Sequence, residues 1–546
     1  MERVDLMPPP ADDDAAPRAH EEAQLTAHAD AYAAVPLLNC LLREVAQPVP
    51  DADESQGRGQ GQGQGQGQDR DRDRDRGREN KADTPRTYRL PGTGRLLRVH
   101  GTRRPTAPEV RADDGTWRRL GHPELVKLVA EELRRYTGVP NQELPAEMTD
   151  SRDAVAALLA ARAGATPPTD PYLRSEQSLL TGHTHHPAPK ARGAGPTASW
   201  LPYAPEAYAR FPLTLLGLRE DAVVEEGDTS SLDRLGTAPP GYRLLPAHPW
   251  QVELAARSLA PAFADGRLIR LGTTGFPVWP TAAIRTVYTP AHDLFLKFSL
   301  DVRITNDIRR LWRHDLLKLR RTDQATGEAF AASAIPDAPA AWLSDRGYRT
   351  ADFAFEELAV LVRDGLHRHL MPGTTPHLAA ALTEDYEGNP LATTTAPATW
   401  WEAYLAQAVP PVLTAFARHG VVVEAHLQNT LIAVDTEGMP VQALYRDAEG
   451  VKLLPEVTRE AGWERLVYCL IVNHLTEIAA ALTEHHPGFT PWPAARRELS
   501  RHPLPEARAL LTTPTLPAKT NLLLRWTAAD GAAARYLPVR NPLAEP

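Results

Sequence analysis

Cysteine is nearly missing: only Cys40 and Cys469 occur in 546 residues. Two thiols so far apart in sequence build neither a disulfide framework nor a cysteine-based zinc site. Their scarcity fits a reducing, cytoplasmic setting. A basic excess is missing as well. The formal charge is -9 and the isoelectric point lies near 6.1, which argues against nucleic acid as a partner. No stretch approaches the ~18 apolar residues of a membrane span, so no membrane is expected either. The opening MERVDLMPPPADDDAAP has no apolar core of the kind a secretory signal carries. What is present is ordinary for a globular chain. Hydrophobic residues make up 42% and charged residues 24%, over a length that implies about two to four domains.

Residues 51–83 alternate Gly-Gln and then Asp-Arg. Such a run buries no apolar surface, so a disordered insert is the expectation. Around it, HADAYAAVPLLNCLLREVA (28–46) is helical in pattern, with Pro36 a potential break. TYRLPGTGRLLRVHG reads as a hairpin around PGTG. PELVKLVAEELRRYTG and SRDAVAALLAARAG read as amphipathic helices closed by glycine. Residues 1–170 thus form one mixed N-terminal unit.

From 171 to 325 strands enter. AAIRTVYT (282–289) leads through the turn PAHD into LFLKFSLDVRIT (294–305). Alternation puts Leu296, Phe298, Leu300, Val302 and Ile304 on one face of that run. Lys297, Ser299, Asp301, Arg303 and Thr305 fall on the other, as in a half-buried strand of a hairpin. NDIRRLWRHDLLKL follows with helical spacing and Asn306 as N-cap, which places Arg309 and Arg310 in a first helical turn. From 326 to 546 helices are expected to dominate, in DFAFEELAVLVRDGLHRHL, TWWEAYLAQAVPPVLTAFARHG and WERLVYCLIVNHLTEIAAALTEH. One β element interrupts them: VVVEAHLQNTLIAVD, the turn TEGMP, then VQALYRDAEG. The class is α+β with a largely helical C-terminal part, and no internal repeat is present.

Three stretches carry chemistry. TGHTHHPAPKARGAGP (181–196) hangs His183, His185, His186, Lys190 and Arg192 from a Gly/Pro backbone. Zinc is disfavoured there, because a nearby lysine and arginine repel a dication and the stretch contains no carboxylate. An anion suits these donors better; a solvated basic loop is the alternative. Lys297 and Arg303 project from the polar face of the strand run, with Arg285 and Thr286 on its partner. Arg309 and Arg310 would oppose a helix dipole, so local stability does not account for them, whereas a bound triphosphate would. Finally, EAHLQN (424–429) and YRDAEG (445–450) supply Glu424, Asn429 and Asp447, oxygen donors of the kind Mg²⁺ prefers. Between them stand His426 and Gln428. The series His, Asn, hairpin, Asp is similar to a kinase catalytic segment. It lacks the carboxylate between His426 and Asn429 that would serve as base for an alcohol acceptor. An amine attacking an activated acyl group needs less help from a strong base.

Taken together, EQSLLTGHTHHPAPKARGAG, LLPAHPWQ, PTAAIRTV, LKFSLDVRITNDIRRL, EAHLQNTL and YRDAEG, in this order from about 172 onward to the closing RNPL, resemble the NRPS-independent siderophore synthetases. This is the aerobactin-synthetase-like IucA/IucC family, with an FhuF-like C-terminal segment. The resemblance implies a cupped hand: an N-terminal thumb (1–170), β-rich fingers with an antiparallel sheet (171–325) and a mainly helical palm (326–546). It implies adenylation of a carboxylic acid by ATP with Mg²⁺, then capture by an amine with release of AMP; small-molecule acid and amine would be the partners, in a possible homodimer. Carried over by motif, His183, Arg285, Thr286, Lys297 and Arg309 would contact the ATP phosphates. His426, Gln428 and Asn429 would line the nucleotide and acyl site, and His183, Arg309, His426 and Gln428 would take part in catalysis. Lys190 and Arg192 would hold phosphate or acid, Glu424, Asn429 and Asp447 the metal, and His248 would be structural. Two positions depart from the pattern: Thr184 stands where the family has proline, and Ala283 where it tends to have serine. The readings from other classes are a ferric-siderophore binding protein and a kinase-like phosphotransferase.

Overall fold

The computed structural model describes residues 15–50, 85–193, 195–305, 307–332, 339–529 and 536–544. The expected insert at 51–83 and the expected cap Asn306 lie outside them.

The N-terminal unit follows the sequence pattern closely. A helix spans Ala15–Glu44 and passes through Pro36 without ending. An antiparallel sheet of five strands follows, from Gln47–Pro48 to Trp117–Arg119. Its second and third strands, Arg86–Arg89 and Leu96–His100, form the hairpin around PGTG, with Tyr88 opposite Leu97. Helices His122–Thr137 and Glu143–Ala163 complete the unit. The first stops at Gly138, whose φ of 73° is the left-handed closure glycine allows at low cost. A far segment joins this core: helix Asn521–Trp526 inserts Leu522 and Trp526 among Leu37, Leu41, Leu97 and Val129. Glu44 caps that helix, accepting from the backbone N–H of Leu522 (2.9 Å) and Leu523 (2.8 Å).

The site rests on a six-stranded antiparallel sheet. Its spatial order is Trp279–Pro280, Thr286–Thr289, Leu294–Phe298, Val360–Asp364, Asp345–Ala351 and Val223–Gly227. The hairpin expected across PAHD is present, with Thr286 opposite Lys297 and Thr289 opposite Leu294. This sheet takes strands from both sides of residue 325, the expected start of the helical part.

Three expectations change here. The run 294–305 is not one half-buried strand. It breaks at Ser299 into Leu294–Phe298 and Leu300–Ile304, and every residue of the first piece is buried. Leu294, Leu296 and Phe298 pack into one core, whereas Phe295 faces another with Tyr172 and Tyr288. Second, Asp307–Arg309 is a strand paired to Leu300–Ile304, and the helix starts only at Arg313. The Arg309 guanidinium donates to the Ile304 carbonyl at 2.6 Å, so a tertiary contact prevails over local helical spacing. Third, 352–370 is no helix. Val360–Asp364 is a central strand buried along its whole length, and a short apolar run of that kind has no periodicity to separate strand from helix.

A second sheet of four strands is ordered Ala341–Leu343, Pro440–Arg446, Thr430–Val434 and Thr375–Leu378, with the first pair parallel. Helices Arg313–Ala332, Pro397–Ala408 and Pro410–His419 pack around it. The pattern at 399–420 splits at the Val409–Pro410 step, where proline opens a new helix. A long helical run, Arg459–His485, contains a π-helical stretch at Val467–Leu475. It is long and apolar enough to cross a membrane, which the sequence reading did not register, and 78% of that window is buried inside the protein.

Candidate active site

A cavity of about 330 Å³ opens between the loop of residues 179–192, the six-stranded sheet and the C-terminal part. The loop of residues 181–192 forms one wall, and it is not a solvated loop. Asn39 donates to the Thr184 carbonyl (3.1 Å), Asn521 to the His185 carbonyl (2.6 Å), and Glu384 accepts from the Thr181 N–H (3.0 Å). Gly182 has a φ of 73°, and a Cβ there would lie 2.9 Å from the Lys190 side chain, so this turn requires glycine. Lys190 and Arg192 reach a carboxylate that sequence reasoning missed: Glu206, at 2.5 and 3.0 Å. Burial alone would raise the Glu206 carboxyl; Lys190 and then Arg192 outweigh it and hold it at about 2. Both cations line the cavity, but much of their charge is answered from below.

The sheet supplies the second wall. Lys297, 3% exposed on its central strand, donates to Asp447 Oδ1 at 2.5 Å and Glu449 Oε2 at 2.7 Å. Arg285 is held by the Arg309 and Arg310 carbonyls, each at 3.0 Å, and faces Glu449 at 3.3 Å. Arg309 bonds the Ile304 carbonyl and the Thr305 hydroxyl. Burial, then Arg285, push it down to about 10, so it remains a cation at neutral pH, and among the described residues it bonds no carboxylate. Thr286 lines the same wall. Arg310 and Arg303 do not: Arg310 is tied to Asp301 (2.6 and 2.9 Å), and Arg303 is exposed on the separate hairpin.

The hairpin Thr430–Val434/Pro440–Arg446 brings the third group. Thr430 lies opposite Tyr445, so the preceding Asn429 and the following Asp447 come to one end, as the two motifs imply. Asp447 is held well below the usual carboxylate range. Its burial would raise it, but Lys297 and then Arg363 outweigh that. Arg363, absent from the motif reading, donates to Asp447 Oδ1 (3.1 Å) and is clamped by Asp345 (2.6 and 3.1 Å). Asp345 also accepts from the Ala448 N–H at 2.9 Å, fixing the turn that presents Asp447. The signal for Arg363 was weak because 352–370 read as helix.

Glu424 goes elsewhere: its carboxylate bonds Arg465 and lies beside Gly450. Its place near Asn429 and Asp447 in sequence does not bring it into the cavity lining. Glu449 takes the position beside Asp447 instead. Among the described residues no group of three His, Cys, Asp or Glu side chains is arranged to hold a metal.

His183, His426 and Gln428 line the cavity. Burial, then His426, push His183 down to about 4; burial also lowers His426. Both imidazoles are therefore neutral at pH 7. His248 caps helix Pro249–Leu254 by accepting from the Trp250 N–H (3.2 Å), a structural role. Three of the cavity residues, Ile284 (φ 57°), Thr305 (φ 60°) and Asp447 (φ 85°), hold left-handed backbone without being glycine. Strain of this kind persists where surrounding contacts over-determine a site.

Residues 171–384 match the IucA / IucC family and residues 398–534 the ferric iron reductase FhuF-like transporter family. Residues 171–384 carry the IucA/IucC pattern. Among its relatives, the L-2,3-diaminopropanoate–citrate ligase of Staphylococcus aureus is 28% identical over 68% of this chain and 75% of that protein. The rhizobactin siderophore biosynthesis protein RhbC of Rhizobium meliloti is also 28% identical, over 68% of this chain and 76% of its own length. In fold, the chain is similar to ATP-bound aerobactin synthetase IucA of Klebsiella pneumoniae, with a TM-score of 0.75, 21% identity, and coverage of 94% of this chain and 99% of that one. Petrobactin biosynthesis protein AsbB of Bacillus anthracis gives a TM-score of 0.74 at 15% identity, covering 96% of each chain. Five of the six motifs quoted for the resemblance supply residues to the cavity wall, and LLPAHPWQ does not.

Proposed function

We propose that this chain is an ATP-dependent ligase of siderophore assembly. It adenylates a carboxylic acid, either citrate, a citryl monoamide or another dicarboxylate, and condenses the acyl group with an amine or hydroxylated amine. The observation that carries this reading is the joining of Lys297, Arg285, Arg309, Arg363 and Asp447 in one cavity beside neutral His183 and His426, with Glu449 behind them bonded to Lys297 and Arg285.

In the first step an acid oxygen attacks the α-phosphorus, the bond to the β-phosphate bridging oxygen breaks, and pyrophosphate leaves. Arg309 and Arg285, fixed by backbone carbonyls rather than by solvent, meet the charge that develops there without reorganising. One such donor is typically worth about 3 kcal/mol. In the second step the amine nitrogen attacks the acyl carbon, AMP departs, and the nitrogen gives up a proton. His183 and His426, held neutral by burial, have lone pairs to receive it. The enclosed cavity keeps water from the mixed anhydride.

Mg²⁺ fits the donor set. Asp447 and Glu449 are hard oxygens drawn together by one ammonium, with Asn429 beside them, and Mg²⁺ takes one or two carboxylates plus phosphate oxygens. When bound it would neutralise phosphate charge. The work is assigned to the cytoplasm, consistent with two buried free thiols, and to a homodimer on the family resemblance. For the ferric-siderophore binding or handling alternative, iron–sulfur chemistry would need clustered cysteines, and Cys40 and Cys469 stand apart in sequence.

The test is incubation with ATP, Mg²⁺, hydroxylamine and a panel of acids that includes citrate. A hydroxamate with stoichiometric AMP and pyrophosphate is expected. ADP in place of AMP would identify a phosphotransferase, and no turnover with any acid would leave a binding protein.

A further inference from the structure

One acid of the cavity stands apart. Asp447 and Glu449 meet Lys297, Glu206 meets Lys190 and Arg192, and Glu176, buried nearby, meets Arg446 at 2.7 Å. Glu477 lines the same cavity and is only 6% exposed, yet no lysine or arginine salt-bridges it among the described residues. Its close neighbours are uncharged: the Thr184 hydroxyl, which pairs with His185 Nδ1 at 3.1 Å, and the His185 ring at 3.5 Å. Burial keeps His185 neutral. Arg43 and Arg103 act on Glu477 only through space, and Arg103 is itself engaged by Glu484 and the Thr383 carbonyl. A buried carboxylate without a cation in contact is costly unless something charged completes it.

The surrounding backbone is built for display. Glu477 follows the π-helical stretch Val467–Leu475, and Asn473, one turn earlier, also lines the cavity. π turns are costly and occur mostly at functional sites. Here the extra residue aims an amide and a carboxylate into one space. The wall they form belongs to the C-terminal helix and the 181–192 loop, distinct from the cationic wall of the sheet.

We propose that Glu477, with Asn473, is the recognition point for the amine substrate and receives a second, non-reacting ammonium of a diamine-type nucleophile. Thr184, which replaces the family's proline, contributes a hydroxyl beside the carboxylate. The inference rests on the ligase reading. With the triphosphate on the cationic wall and an ammonium on this one, the acyl group sits between opposite fields, and the second amine of the same molecule reaches it neutral.

The experiment compares wild type, E477Q and E477D in two assays. Acid-dependent ATP–pyrophosphate exchange needs no amine. Amide formation is followed with hydroxylamine, neutral at pH 7.5, and with ethylenediamine, 1,3-diaminopropane and L-2,3-diaminopropanoate. In wild type, kcat/KM is expected to favour at least one diamine over hydroxylamine. In E477Q that preference should drop at least tenfold, through KM for the diamine, with E477D recovering part of it. An unchanged preference in E477Q, an equal loss in exchange and in amide formation, or a wild type that uses hydroxylamine but no diamine would each overturn the assignment. Absence of exchange in wild type with every acid would instead strike the ligase reading beneath it.

Discussion

At residue scale the site is an arrangement of charges already paired before substrate arrives. Lys297 holds Asp447 and Glu449 together. On the proposed reading, phosphates would compete for the ammonium and free the carboxylates for a metal. Lys297→Ala is therefore expected to lower pyrophosphate release at least 100-fold, about 3 kcal/mol, in a protein whose circular dichroism is unchanged; near-normal release would refute the assigned phosphate site. The same geometry separates two acids that the sequence treats alike. Asp447→Asn should raise the Mg²⁺ concentration for half-maximal exchange at least tenfold. Glu424→Gln should shift it less, since Glu424 faces Arg465. A larger shift in E424Q would return Glu424 to the metal. In the sequence both are acids near Asn429, and only the side chains' partners distinguish them.

At element scale the six-stranded sheet positions the chemistry, and its edge is tied down by a buried arginine. Arg349 is fully buried in strand Asp345–Ala351. It bonds Glu225 (2.8 Å) on the edge strand and Asp233 (2.7 Å) beyond it, besides the Leu244 carbonyl (2.7 Å). Arg349→Met removes the partner of the buried Leu244 carbonyl and one of two arginines on Glu225 and Asp233, which Arg243 still pairs at 3.3 and 3.1 Å, so unfolding free energy in urea should fall by about 2 kcal/mol. A change within 0.5 kcal/mol, roughly the range of an ordinary surface substitution, would show that these contacts do not hold the edge. This is also the scale at which sequence reading succeeded and failed. The hairpins at 286–298 and 430–446 were legible because turn residues separate alternating runs. Strand Val360–Asp364 was not, because burial on both faces removes alternation. Nor was the strand Asp307–Arg309, because its pairing is set by a bulged register with Leu300 and Arg303 rather than by its own residues.

Over the whole molecule, buried histidines set the response to acid. His122, His183, His377 and His474 are pushed down to about 4 and His248 to about 3, in every case chiefly by burial. Their folded values lie below the ordinary 6.5, so between pH 6.5 and 4 the unfolded chain takes protons that the folded one refuses. Stability then rises with pH, and each such group loses at most roughly 1.4 kcal/mol per unit of acidification in that window. Glu44, raised to about 7 by burial, works in the opposite sense, as do Glu384 and Glu477, but the histidines are more numerous. The melting temperature should fall from pH 7 to pH 5, and His474→Asn should flatten the slope; a flat or inverse profile in wild type would contradict this balance. Deleting residues 55–80, which hold no apolar side chain but repeat Gly, Gln, Asp and Arg, should leave turnover within about twofold, and a larger loss would give that run a role. The sequence by itself determined the class, the motifs and the kind of ligand, because residue chemistry and turn spacing are local properties. Only the tertiary structure decided which charges are spent on one another. It gave Glu206 to Lys190 and Arg192, turned Glu424 away, brought in Arg363 and Glu449, and left Glu477 without a cation, because pairing between residues hundreds of positions apart depends on where the chain returns in space.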